Sequence, residues 1–450
     1  MLDIQSRRVT WNCEGVRRRD FIRVGALSML GLTLADWFQW KARGMIADGK
    51  AKSVILLWMG GGPTQTDTFD PKPQAGEEYC GPLRRPIATN VPGISIGELL
   101  PLLAKQADKY ALLRSMTHGN NGHETAAYIM QTGTMPSDLA YPSLGSVVAL
   151  KKGYEAGYKG NLPPFITLTN PLGRFSETGF LGAKYKSFAT GGDPNAKDFR
   201  VGGLVPPRGV TEQRLQERRS LLQTVDTLAR ATENDARFQA MDKFQEKAYG
   251  LILGDAKQAF DLSTEKDELK EKYGRNRFGQ SCLLARRLVE NGVPFITIND
   301  GGWDTHKDHF PAMQRKLPIL DQGFAALLDD LAQRGLLEST IVVWYGEFGR
   351  TPKVAAEPPW NGGRHHFGAC FSAVVAGGGF KGGAVVGTSD NRGEAVRERP
   401  VYPWDLSASI YKLLGIDPHG RLPHPQGCVA HVSPLASGTV QSGGLLAEIM

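Results

Sequence analysis

Six of the nine histidines in this 450-residue chain fall in three glycine-rich stretches, as His118 and His123, His306 and His309, and His365 and His366. Carboxylates lie close to them or in similar loops. Asp304 opens Asp304-Thr305-His306, Glu347 and Arg350 share Gly346-Glu347-Phe348-Gly349-Arg350, and Asp67 and Asp70 lie in Thr66-Asp67-Thr68-Phe69-Asp70. Carboxylate and imidazole without thiolate suit Zn²⁺, Mn²⁺ or Fe at a catalytic rather than a structural centre. One such loop alone reads most simply as turn chemistry, because Asp and Gly cap turns and His often satisfies a backbone carbonyl. Four such loops, each on a strand end, argue for a shared polar site. One or two metals held there would polarise a phosphoryl or sulfuryl oxygen.

The elements that must position these loops follow from the apolar pattern. Ser53 to Met59 is a continuous apolar run ending in Gly60-Gly61-Gly62-Pro63, as a fully buried strand would. Leu99 to Leu113 mixes a helix with a short strand, and Arg114 to His118 reads as the loop after it. Phe278 to Glu290 predicts a helix stopped by Asn291-Gly292, followed by a strand over Val293 to Ile298. Ile319 to Leu331 predicts a further helix, and Thr340 to Tyr345 and Phe371 to Ala376 predict strands. This alternation specifies an α/β fold: a doubly wound, mainly parallel sheet with helices on both faces and ligands at the carboxyl ends of its strands. Residues 211–273 are polar and free of proline, and predict two or three surface helices inserted into a single domain spanning 51–450.

Hydrophobic residues make up 41% of the chain and charged ones 22%, which suits a globular protein with a buried core. The net charge is +7, but residues 1–50 hold nine Lys/Arg against five Asp/Glu, leaving only +3 for the rest. So small a surplus, with no basic run, excludes nucleic acid as the expected partner. The leader carries more information. Arg18-Arg19-Asp20-Phe21-Ile22-Arg23 has the order of a twin-arginine export signal, and the apolar run Val24 to Leu34 is too short for a bilayer, which needs about 20 residues. Residues 1–50 therefore read as signal and linker. The expected partner is the twin-arginine translocase and the expected location is periplasmic or extracellular, with retention by an uncleaved signal left open. No other membrane span is expected. Five scattered cysteines form no C-x-x-C pair; Cys80, Cys282, Cys370 and Cys428 read as buried thiols or as one or two disulfides formed after export.

At these residues the sequence resembles the domain-of-unknown-function 1501 family of secreted proteins. The matching stretches include GGGPTQTDTFDPKP (60–73), RSMTHGNNGHETAAYIMQTG (114–133), YGRNRFGQSCLLARRLVENGVPFITINDGGWDTH (273–306), GEFGRTPK (346–353), GGRHHFG (362–368) and YPWDLSASIYKLLGIDP (402–418). The family is similar in fold to the alkaline phosphatase and sulfatase superfamily. That resemblance implies a divalent metal, Zn or Mn, with ligands among Asp67, Asp70, Asp304, His306, His309, Glu347, His365 and His366. Two departures stand out. The superfamily has Asp-His after the strand equivalent to TIVVWY, where this chain has Glu347-Phe348. The nucleophile position, ten residues before Gly133, is His123. His123, Thr117 and Arg350 are accordingly the candidate catalytic groups. The function implied is an exported metal-dependent hydrolase of phosphate or sulfate esters. The alternative is a non-catalytic protein of the same fold that binds a ligand or polysaccharide at the cell surface.

Two further motifs carry less. Cys80-Gly81-Pro82-Leu83-Arg84 spells the sulfatase C-x-P-x-R core, but Pro86 and Pro92-Gly93 deny it the helix that such a residue must begin. Gly377-x-Gly379-x-x-Gly382 matches the dinucleotide fingerprint in letters, yet a β-like run, Ala384-Val385-Val386, follows where a helix is required.

Overall fold

Eight strands form one sheet in this computed structural model, which describes residues 49–171, 173, 177–202, 213–214, 216–217, 220–221, 255–433 and 441–450. The twin-arginine leader and most of the expected insertion at 211–273 lie outside these residues. In chain order the strands are β1 (Ser53–Met59), β2 (Tyr110–Met116), β3 (Phe165–Leu168), β4 (Phe188–Ala189), β5 (Phe295–Asp300), β6 (Thr340–Tyr345), β7 (Phe371–Ala376) and β8 (Ala384–Val386). Their spatial order is β8-β2-β7-β6-β1-β5-β3-β4, and every pairing is parallel except those of β7, which runs against both β2 and β6. The α/β class and mainly parallel sheet expected from the sequence are therefore present.

Alternation along β1 shows why the sheet is covered on both sides. Ile55, Leu57 and Met59 point into one core with helices α3 (Arg277–Glu290) and α4 (His309–Gln333). Val54, Leu56 and Trp58 point into the other, with α1 (His123–Thr132), α2 (Leu144–Lys152) and α5 (Pro403–Leu413). A strand buried on both faces reads as a continuous apolar run, and β1 does.

The structure differs from the sequence reading in two places that matter. Helix α4 begins at His309, not Ile319, and runs through Pro318. An interior proline costs about 3 kcal/mol. The early turns bury Phe310, Met313 and Leu317, each contributing roughly 1.5–3 kcal/mol, so the apolar stripe outweighs the proline. Arg114-Ser115-Met116 is strand rather than loop, because β2 continues until Met116 pairs with Phe371. All four described cysteines are free thiols. Cys80 ends the short helix Glu77–Cys80 instead of beginning one, and Gly377, Gly378 and Gly379 form a turn with positive φ, as the sequence arguments required.

Candidate metal centre

The topology brings five loops to one sheet edge. Strands β1, β2, β5 and β6 end there, and antiparallel β7 begins there, so its preceding loop, with His365 and His366, joins them. His123 is the first residue of α1, in the stretch that follows β2. Asp304 and His306 lie in the turn between β5 and α4, and Glu347 follows β6 directly.

Glu347 is the fixed point. Its carboxylate is 4% exposed and accepts the Gly61 amide on both oxygens, at 2.9 and 3.1 Å. Its carbonyl contacts His118 Nε2 at 2.7 Å, and the Asn120 amide donates to His118 Nδ1, so Nε2 carries the proton. Gly61 makes this possible: its φ is +114°, and a side chain there would run into the amide of Asp304. The remaining reach of Glu347 goes to His123 Nδ1 at 2.6 Å. A carboxylate only accepts, so His123 donates from Nδ1 and turns Nε2 toward Asp304 Oδ2, 3.2 Å away.

His366 is set in the same way by a different acceptor. Its Nδ1 lies 2.8 Å from the Asn121 carbonyl, which assigns the proton to Nδ1 and leaves Nε2 facing Asp304 Oδ1 at 3.1 Å. The third side of Asp304 is Arg350. That guanidinium is fully buried; it donates to Asp304 Oδ1 at 2.6 Å, to the carbonyls of Gly62 and Arg364, and closely to that of Gly61. Arg350 therefore ties the β1 loop to Asp304 and holds one carboxylate oxygen in place.

The electrostatics follow from these partners. Burial pushes the Asp304 carboxyl up, but Arg350, His366 and His123 outweigh it and hold the group at about 2. Glu347 raises His123 above the ordinary imidazole range against the opposing effect of burial, with Asp304 adding to the rise. Burial lowers His366 and His306. His123, Asp304 and His366 each offer one ligand atom, all within 4.8 Å of one another. Two imidazoles and a carboxylate, with no thiolate, offering one ligand atom each at this spacing fit a divalent metal. The hydrogen-bonded Nδ1 atoms of His123 and His366 are the outer support that metal-ligating histidines generally have.

The other sequence candidates divide cleanly. His306 lies beside the centre, with Nε2 2.8 Å from His366 Nε2 and 3.2 Å from Asp304 Oδ1, and its Nδ1 is 2.7 Å from His365 Nδ1. Asp67 and His309 are in a separate buried cluster: Asp67 Oδ2 takes His309 Nε2 at 2.8 Å and Thr64 Oγ1 at 2.9 Å, and Oδ1 takes Arg364 Nη2 at 3.1 Å. Arg364 Nε is also 2.9 Å from Oδ2, at an angle too poor for a hydrogen bond, so that contact is electrostatic. His309 Nδ1 is 2.6 Å from Thr305 Oγ1, which uses up its ring. Asp70 pairs with Lys72 at 3.0 Å and with Arg114 at 3.5 Å, and accepts Ser389. The Thr117 amide bonds to the Val401 carbonyl. Among the described residues no hydroxyl side chain hydrogen-bonds to His123, Asp304 or His366. Sequence reasoning placed His118 among the clustered histidines without giving it a role and did not single out Asn121; these act through a contact to a backbone carbonyl and through a backbone carbonyl, which leave no motif.

Fold and site together define an α/β protein with a carboxylate–imidazole centre at the carboxyl edge of its sheet. The chain belongs to the DUF1501 family, described as a protein of unknown function, whose model matches residues 51–438. A search of curated proteins finds no match. Among solved structures the chain is similar to the lipoteichoic acid synthase LtaP from Listeria monocytogenes, at 10% identity and a TM-score of 0.39, over 83% of this chain and 74% of that one. It is similar to PsFucS1 sulfatase from Pseudoalteromonas sp. at 14% identity and a TM-score of 0.36, over 83% and 71%. Alkaline phosphatase from the Antarctic bacterium TAB5 gives 11% and 0.36, over 82% and 99%.

Proposed function

We propose that the protein is an exported hydrolase of phosphate or sulfate esters that works with one divalent cation held by His123, Asp304 and His366. The observation that carries this reading is the orientation of the two rings. Each gives its Nδ1 proton to a fixed acceptor, Glu347 or Asn121, and presents Nε2 to the same carboxylate. When bound, the cation supplies Lewis-acid polarisation of an ester oxygen. The start of α1 at His123 brings the positive end of a helix dipole to the same place, which suits an anionic ester. The absence of a hydroxyl partner among the described residues leaves water as the attacking group. His306 donates from Nε2 to His366 Nε2 and accepts at Nδ1 from His365, which leaves His365 Nε2 as the ring nitrogen that can take up the water's proton.

Export rests on the leader residues Arg18 and Arg19 ahead of Val24 to Leu34, which deliver a folded chain to the twin-arginine translocase. Among the described residues no helix is long and apolar enough to cross a membrane. The second reading, a non-catalytic binder of the same fold, is favoured by the same absence of a hydroxyl nucleophile. Elemental analysis of the exported protein, followed by turnover of aryl phosphate and aryl sulfate with and without chelator, separates them. Stoichiometric metal with chelator-sensitive turnover supports the hydrolase. Metal-free protein that binds esters without turnover supports the binder.

A further inference from the structure

One large aromatic side chain stands exposed beside the centre. Trp360 is 39% exposed, and its indole stands perpendicular to the His365 ring, with centroids 4.8 Å apart at 87°. It is 6.2 Å from the His306 ring, which is in turn 4.4 Å from His366, so two ring-to-ring steps connect the indole to the proposed metal ligands. The loop carrying it is held at several points. Ala355 and Gly363 bridge at its neck, the Asp308 amide donates to the Trp360 carbonyl at 3.2 Å, and the Trp360 amide donates to Glu357 at 2.9 Å. Gly363 lies so close that a side chain there would strike the His306 carbonyl. Pro358 and Pro359 restrict the backbone immediately before the indole.

The surroundings say what such a platform fits. Glu357, Asn361 and Lys307, all exposed, share this rim. Pro358 and Pro359, also exposed, extend the apolar surface beside the indole, and the charged and amide groups border it. A pyranose ring is the complementary shape: its axial C–H face matches the negative face of an indole, and its equatorial hydroxyls reach amide, carboxylate and ammonium groups around the edge.

We propose that Trp360 is the sugar-binding platform of this site and that the substrates are pyranose rings carrying a phosphate or sulfate ester. This rests on the ester-hydrolase reading for the position of the ester, while the stacking itself needs neither metal nor turnover. The test is binding of the purified full chain to an array of mono- and oligosaccharide phosphates and sulfates, their unesterified counterparts, and inorganic phosphate and sulfate. Wild type should bind the esterified sugars in preference to the inorganic anions. Trp360→Ala should bind them about fivefold or more weakly and Trp360→Phe should retain most of the affinity. Both variants should melt as wild type does, since exposed substitutions usually change stability by no more than about 0.5 kcal/mol. Equal binding by wild type and Trp360→Ala, or no sugar bound at all, overturns the proposal. Failure of the two readings is distinguishable. Sugar binding that depends on Trp360 in a metal-free, inactive protein keeps the platform and removes the hydrolase, whereas metal-dependent turnover indifferent to Trp360 does the reverse.

Discussion

Two clusters in this molecule use the same residue types and behave in opposite ways. Asp67, His309 and Arg364 form one, and Asp304, His123, His366 and Arg350 the other. In the first, the Asp67 and His309 side chains are at most 1% exposed, and every oxygen of the carboxylate and both ring nitrogens have protein partners. In the second, the Asp304 side chain is 44% exposed, and two imidazoles turn their Nε2 atoms to it. A closed cluster has no bond left for a ligand; an open one keeps room for a cation. Side-chain chemistry is the same in both, so function at this sheet edge is decided by which partners the fold leaves over.

The largest test of that contrast is Asp67→Ala. It strands the buried Arg364 guanidinium without its counter-charge, and removing one partner of a buried pair typically costs about 3–5 kcal/mol. Denaturant unfolding should show that loss, with metal content per folded molecule unchanged. Loss of metal in this variant would break the distinction between the clusters. Next comes the open cluster. With Zn²⁺ or Mn²⁺ at 100 times its dissociation constant, wild type should gain about 2.7 kcal/mol of stability. His366→Ala should lose that gain while unfolding nearly as wild type does without metal, and a thermal melt with and without chelator reads both.

A smaller effect sharpens the role of Glu347. Glu347→Gln keeps the shape and a hydrogen-bonding side chain but removes the charge that fixes the His123 tautomer, so metal affinity should fall about 10–100-fold. Competitive titration against a chromophoric chelator measures it, and unchanged affinity would make Glu347 a purely structural residue. The smallest effect is in acid. Burial pushes Asp67 up, but Arg364, His309 and Thr64 outweigh it and depress its carboxyl below the usual range. A depressed carboxyl binds fewer protons folded than unfolded. Its contribution is therefore complete above the unfolded value of about 4 and is lost as pH falls through the lower folded value. The Asp67→Asn variant should accordingly show a flatter loss of stability below pH 4 than wild type, by urea unfolding at a series of pH values.

Much of the fold is legible in the sequence because its signals are local. The apolar run Ser53 to Met59, the helix Phe278 to Glu290 and the strand Thr340 to Tyr345 appear nearly where the pattern puts them. Helix α4 does not, because Pro318 is a local stop signal that long-range burial of Met313 and Leu317 overrides. The same limit applies to the candidate site. Its residue types and its location at strand ends could be read directly, and Asp304, His306, Glu347 and His366 meet there with His123.

The sequence by itself determined that carboxylates and imidazoles would gather at the carboxyl edge of an α/β sheet, since strand periodicity and glycine-rich strand ends are local properties. Only the tertiary structure decided which of them are open. Asp67 and Asp304 both stand directly before a threonine, and His306 and His309 are three residues apart, yet each pair is divided between the two clusters. His306 stays in the turn and faces His366, whereas His309 begins α4 and is turned by the helix into the Asp67 cluster. The physical reason is that an acceptor's availability depends on what else reaches it. For Asp67 that is Arg364, 297 residues away, and for His123 it is Glu347, 224 residues away.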